Sequence, residues 1–347
     1  MADIDCHSEM TAFHRGNVTL SQKQQGEMRT RRDAGRTRLE NGLDLKEHPQ
    51  PSVVQSQGSY QMRTMTQDDD NDYDIDDGAY FEQDDLTDGD GNALTPLAAR
   101  ERICEALKWD GRLKHEAMVK RNCVRQAYPA GYHIDVPVYR IVATEDEDGN
   151  EIEHYELASG DEWVKSDARA VTRWYNGIVG ELNAGESDGS QMRRITKLTK
   201  KFARRKPWKL KTTSGICITK LVVDHFVYGQ DSDDKALRET WKAIKVALDA
   251  STAIDHPVLA GTKLAKAGDE AVVFFRDCLA SALGTLNVLD TSDCTREQAR
   301  EAWDDVFDTV FFTDQPDDGA AKKSEGSAML VTSVETARRS DGGGRFG

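Results

Sequence analysis

Asp72, Asp74 and Asp76 alternate with Tyr73 and Ile75 in the stretch DYDIDDGAYF, residues 72–81. In a strand, residues two apart share a face, so the three carboxylates point one way and the apolar pair the other. Like charges so arranged repel unless a cation sits among them. Hard divalent cations such as Mg2+ take oxygen ligands and are typically held by one or two carboxylates together with substrate phosphates. A third carboxylate is offered by YHIDVPVYRI, residues 132–141, where alternation puts Tyr132, Ile134, Val136 and Val138 on one face and His133, Asp135 and Pro137 on the other. An aspartate in mid-strand among apolar neighbours is unfavourable unless a metal or a partner compensates it. Two carboxylates close in sequence and a distant third can hold two metal ions about 3.5–4 Å apart for in-line phosphoryl transfer. Calcium in an EF-hand is excluded: counted from Asp72, Asp77 stands where the loop needs Gly and Gln83 where it needs Glu.

Two further groups fit the same chemistry. Gly58-Ser59 closes a predicted strand and opens a short helix. Such a turn lets backbone N–H groups approach a phosphate, and the serine hydroxyl adds a donor. Downstream, residues 193–211 (RRITKLTKKFARRKPWKLK) carry ten Lys and Arg, whereas none occurs between Thr64 and Arg100. An acidic site facing a basic helix suits a metal-dependent enzyme acting on a polyphosphate. Most of the ten are expected on a solvated face, since only one side of a helix can meet a cleft.

The elements that must position these groups are readable in outline. Residues 20–43 read as a long, mostly exposed helix capped by Ser21, and residues 95–109 as a helix capped by Thr95 with Pro96 at its first position. Strands are expected at 72–81, 122–128 and 132–142, with a hairpin turning at Asp148-Gly149-Asn150. Beyond residue 160 the pattern is helical throughout, with core stripes at Leu237, Trp241, Ile244 and Leu248 and at Trp303, Val306, Phe307 and Val310. The acidic run at Asp68, Asp69 and Asp70 reads as a solvated loop. The expected division is an N-terminal helix (1–45), an α/β core (46–165), a helical lobe (166–312) and a flexible tail (313–347).

Composition narrows the class. With 347 residues, 38% hydrophobic and 31% charged, the chain can bury a sizeable core. Its net charge of −15 argues against broad nucleic-acid binding. The six cysteines are scattered without metal-ligand spacing and read as reduced thiols. No signal peptide or run of 18 apolar residues is evident, so a cytoplasmic protein is expected.

Together, GSYQMRT, DYDIDDGAYF and YHIDVPVYRI resemble the motifs of the polymerase-beta-like nucleotidyltransferases, and within them the bacterial cyclic-oligonucleotide synthases, or CD-NTases. EWVKSDARAVTRWYNGI and RRITKLTKKFARRKPW with TTSGICITKL are weaker matches. Departures are the acidic DDDND insertion, SDA in place of SDP, and Phe202 where Trp is usual. The resemblance implies an α+β fold: a mixed β-sheet core with helices, a C-terminal helical lobe and an N-terminal spine helix. It implies Asp74, Asp76 and Asp135 as ligands of two Mg2+ ions, with Mn2+ as a substitute, and Asp135 as the group that helps deprotonate the attacking ribose hydroxyl. Gly58 and Ser59 would hold the donor triphosphate; Lys200, with Lys197 as the alternative, and Ser214 would contact phosphate or ribose. The implied reaction makes a cyclic dinucleotide such as cyclic GMP-AMP from ATP and/or GTP, for CBASS anti-phage signalling. A cyclic trinucleotide, a non-cyclising transfer to RNA or a small acceptor, and a nucleotide-binding pseudo-enzyme are the alternatives. The tail SDGGGRFG further suggests conjugation through Gly347 by a ubiquitin-transferase-like partner.

Overall fold

A computed structural model describes residues 4–68, 73–145, 148–185 and 189–316. Asp69, Asp70, Asp72 and Gly347, together with nearly all of the expected tail, lie outside the described residues.

The chain opens with a helix that sequence periodicity does not announce, α1 (His7–Phe13), continued by a π-turn through Val18. Cys6, Met10, Phe13 and Val18 are buried in the core of the distant helical lobe. Next comes α2 (Gln22–Leu45), where Ser21 and Gln24 form a capping box. Its buried residues include Met28, Gly35, Leu39, Gly42 and Leu43. Gly42 permits a close approach to the helix over Pro96–Lys108: a Cβ there would meet the carbonyl oxygen of Ala106 at 1.9 Å.

The α/β lobe then runs β1 (Val53–Gln57), the single-turn α3 (Gly58–Gln61), β2 (Asp74–Glu82) and α4 (Pro96–Lys108). Thr95 caps α4 by accepting from the Ala98 N–H, with Pro96 in the first turn, as expected. After these come β3 (Met118–Val119), β4 (Val124–Ala127), β5 (His133–Val136), β6 (Val138–Glu145), β7 (Glu151–Ser159) and β8 (Glu162–Lys165). The strands form one mixed eight-stranded sheet among the described residues. β1 lies antiparallel to β2, while β2 runs parallel to β5 and to β6. The strand expected over 132–142 is interrupted at Pro137, which has no N–H to donate; its carbonyl still accepts from Ala79. Alternation survives the break.

The two faces of β2 have different tasks. Tyr73, Ile75, Ala79 and Phe81 are buried among side chains that include Met28, Leu39 and Leu43 of α2 and Ile103 and Leu107 of α4. Asp77 shares that parity and would be an isolated buried charge; Arg36 of α2 donates to both its oxygens at 2.7 and 2.6 Å, and Ser56 donates at 2.8 Å. On the opposite face stand Asp74 and Asp76, followed by Tyr80 stacked on Tyr139.

The helical lobe comprises α5 (Ala168–Ala184), α6 (Gly189–Ala203), α7 (Gly215–His225), α8 (Asp233–Ala250), a small hairpin of β9 (Ile254–Asp255) and β10 (Lys263–Ala265), α9 (Glu270–Leu286) and α10 (Arg296–Phe307). β8 and this hairpin correct the expectation of helix throughout. Leu237, Trp241, Ile244, Leu248, Trp303, Val306 and Phe307 are buried as expected, but Val310 is 67% exposed. The stripe fails there because α10 ends at Phe307, Asp308 adopting the left-handed conformation at φ 56°. Asp68 is not solvated: it is buried and pairs with Lys209 at 3.0 Å. Residues Glu270–Asp290 are long and apolar enough to cross a membrane by length and composition, yet Val272, Phe275, Leu279, Ala282 and Leu286 sit in the lobe core. All six cysteines are free thiols.

Replacing Arg36 by Ala leaves the Asp77 carboxylate, whose side chain is 3% exposed, without its guanidinium. The expected loss is about 2–3 kcal/mol, below the full figure for a wholly buried pair because Arg36 reaches solvent. Urea unfolding measures it, and a loss under about 0.5 kcal/mol would show that the pair is not what holds β2 to α2.

Candidate active site

The site begins with register. In the parallel ladder Asp74 lies opposite His133 and Asp76 opposite Asp135. Because a one-residue slip would turn every side chain to the other face, the buried apolar residues between them fix the carboxylates here. Ile75 and Ile134 are 0% and 1% exposed and serve as that anchor.

Gly58 forms the rim. It has φ +63°, and a Cβ built on it would stand 2.5 Å from Asp76 Oδ2. Backbone and carboxylate are therefore in contact here, and both the conformation and the space demand glycine. Ser59, Thr64, Thr66, Tyr73, Asp74, Lys200 and Arg204 line a recess of about 20 Å³ directly beyond it.

The electrostatics are those of a site short of positive charge. Burial, then Asp135, pushes the Asp74 carboxyl up; burial, then Asp74 and Asp135, pushes Asp76 well up. A bound divalent cation would reverse both effects. One ligand atom each from Asp74, His133 and Asp135 lie within 4.8 Å of one another, so the donor set fits a cation. Asp135 is further held by Arg125 across the antiparallel β4–β5 pair, with Nε and Nη2 donating at 2.9 and 2.7 Å.

The basic helix supplies one buried cation to this recess. Lys200 Nζ donates to Thr64 Oγ1 at 3.0 Å, and burial, followed by Arg204, lowers its pKa to about 7. Lys197 goes elsewhere: its Nζ reaches Thr19 at 3.4 Å and it faces a separate cavity of about 740 Å³ that it lines with Arg29, Arg63 and Arg193. Ser214 caps α7, accepting from the Cys217 N–H at 3.4 Å, and does not line the recess. The next residue, Gly215, abuts Lys200: a Cβ there would lie 3.8 Å from Lys200 Cε.

Thus Asp74, Asp76, Asp135, Gly58, Ser59 and Lys200 converge, with Ser214 one residue away. His133, Arg125, Thr64 and Arg204 belong to the site without having been singled out. Alternation had already put His133 on the Asp135 face, and Thr64 ends the GSYQMRT motif; nothing local marks Arg125.

Gly58→Ala should displace Asp76, reducing Mn2+ affinity at least about tenfold by titration calorimetry, with a strain penalty of about 1–3 kcal/mol in stability; unchanged affinity would contradict the contact. Lys200 gives a pH test. Its folded-state value near 7 lies below the ordinary 10.5, so the folded protein binds fewer protons between those values and gains stability as pH rises. Relative to Lys200→Met, the wild type should therefore gain unfolding free energy between about pH 7 and about pH 10. A pH-independent difference between the two would show that Lys200 titrates normally.

A family model described as "Cyclic GMP-AMP synthase DncV-like, nucleotidyltransferase domain" matches residues 52–139, the segment from β1 through the site strands. Three solved structures share the fold. Vibrio cholerae DncV cyclic AMP-GMP synthase in complex with a linear intermediate aligns at TM-score 0.64 and 15% identity, covering 87% of this chain and 95% of that one. E. coli MS115-1 CdnC with ATP aligns at 0.65 and 14% identity, covering 89% and 99%. The Bradyrhizobium diazoefficiens CD-NTase CdnG with GTP aligns at 0.66 and 14% identity, covering 89% and 97%. Residues 52–139 accordingly match the DncV-like nucleotidyltransferase domain, within a chain that shares the fold of these solved CD-NTase structures along nearly its whole described length.

Proposed function

We propose that the protein is a cyclic-oligonucleotide synthase that joins ATP and/or GTP into a cyclic dinucleotide such as cyclic GMP-AMP, a second messenger of bacterial anti-phage signalling. The observation that carries this reading is the parallel register that sets Asp76 beside Asp135, with the Gly58 turn in contact with Asp76. The choice of purine nucleotides is supported by the structural relatives: CdnC was solved with ATP and CdnG with GTP.

In this reading Gly58 and Ser59 hold the donor triphosphate through backbone N–H groups and the hydroxyl. Asp74, Asp76 and Asp135 would ligate the divalent cations; when bound, these supply Lewis-acid stabilisation of the attacking and leaving oxygens. Asp135, kept in place by Arg125, accepts the proton of the attacking ribose hydroxyl. That oxygen bonds to the donor's α-phosphorus as the bond to pyrophosphate breaks. Lys200, buried beside Thr64, takes up full positive charge as the phosphates arrive, and Ser214 on the adjoining α7 contacts phosphate or ribose. After the linear product turns over in the cleft, its free ribose hydroxyl closes the ring by the same steps.

Purified protein incubated with Mg2+ or Mn2+ and the four NTPs should yield a phosphatase-resistant product whose mass gives bases and ring size. Asp74→Asn/Asp76→Asn should lower the rate by at least about a thousandfold. Linear products would favour transfer to an acceptor instead, and a three-base mass would name the cyclic trinucleotide.

A further inference from the structure

Mg2+ and Mn2+ are interchangeable in many phosphoryl-transfer sites whose ligands are all oxygen. This site is not built that way. His133 lies directly across the parallel ladder from Asp74, as Asp135 lies across from Asp76, so four side chains occupy neighbouring positions on one face of the sheet. His133 is 6% exposed. Its Nε2 stands 3.7 Å from Asp135 Oδ2, an ion pair when the ring is protonated but beyond hydrogen-bond length, and its side chain makes no hydrogen bond among the described residues. No hydrogen bond therefore holds the imidazole, and its nitrogens are left available to a ligand on the carboxylate face. It also has no need to orient Asp135, because Arg125 already holds both oxygens at 2.9 and 2.7 Å. What remains is the donor triad itself, one atom each from Asp74, His133 and Asp135 within 4.8 Å of one another.

Mg2+ demands oxygen ligands in near-octahedral geometry and dehydrates reluctantly. Imidazole nitrogen suits first-row transition metals, and affinity at mixed nitrogen and oxygen sites rises along that series. We propose that His133 is a nitrogen ligand of the active-site cation, and that this chain consequently selects Mn2+ over Mg2+. The inference rests on the metal-dependent reading of the site above, but adds a ligand to it and a preference that three aspartates alone would not confer.

Electron spin-echo spectroscopy of Mn2+ bound to the full chain, alone and with a non-hydrolysable ATP analogue, reads the ligand directly without turnover. The wild type should show modulation from a directly bound imidazole nitrogen, and His133→Gln should lose it. Competition of Mg2+ against Mn2+ should show the preference for Mn2+ reduced at least about tenfold in the same variant. His133→Asp, which restores an oxygen donor, should bind Mg2+ better than wild type and guards against a variant that merely misfolds. Mn2+ bound without nitrogen modulation, but lost in Asp74→Asn, would overturn the inference and leave the carboxylate centre standing. Mn2+ bound by neither wild type nor variant, with or without the analogue, would overturn both.

Discussion

Repulsion among crowded, largely desolvated carboxylates is the constraint around which this molecule is arranged. Asp74, Asp76 and Asp135 are brought to one face of a parallel pair of strands, where Asp135 raises the carboxyl of Asp74, and Asp74 and Asp135 raise that of Asp76. Left free to relax, such a group would turn to water or slip in register. The sheet prevents both: Ile75 and Ile134 are buried on the opposite face, so any slip that separated the charges would expose the apolar residues. Hydrophobic burial on one side of β2 thereby holds an electrostatically unfavourable arrangement on the other, ready for a cation.

The surrounding polar groups divide between two duties. Arg125 and Lys200 bring positive charge towards the site, one through a bidentate contact to Asp135 and the other from the buried side of α6. Arg36 keeps the adjacent aspartate out of it. Asp77 follows Asp76 directly but faces α2, and its pairing with Arg36 and Ser56 lets two consecutive aspartates belong to a folded strand. Without that neutralisation β2 would carry uncompensated charge on both faces.

Much of the site was legible because strand alternation is a local property. Asp74 and Asp76 share a face by spacing alone, and Asp135 betrays itself as a charge among apolar neighbours. Glycine at position 58 is legible as a turn, though its contact with Asp76 depends on the antiparallel pairing of β1 with β2. What escaped is non-local. Arg125 meets Asp135 only through the β4–β5 register, and Asp68 meets Lys209 across 141 positions of sequence. The helix α1 is too short to display a convincing stripe, and its Met10 and Phe13 find their core only once α10 is folded. Val310 failed for the opposite reason: the apolar spacing continued after the helix itself had ended.

The placement of α1 has a mechanical consequence. The first described residues are embedded in the helical lobe, where Phe13 packs on Phe307, Phe311 and Phe312 and Glu9 pairs with Arg300 at 3.0 Å. The chain then leaves for the sheet with α2, touches the helical lobe again at Met62, Thr64 and Asp68, and joins it after β8. The lobes are thus joined by two covalent crossings among the described residues, one between Val18 and Gln22 and one between Lys165 and Ala168. A body pinned at two points turns most easily about the line through them. Any opening of the site would therefore have to turn about these two crossings and break the ties that Lys200 makes to Thr64 and Lys209 to Asp68.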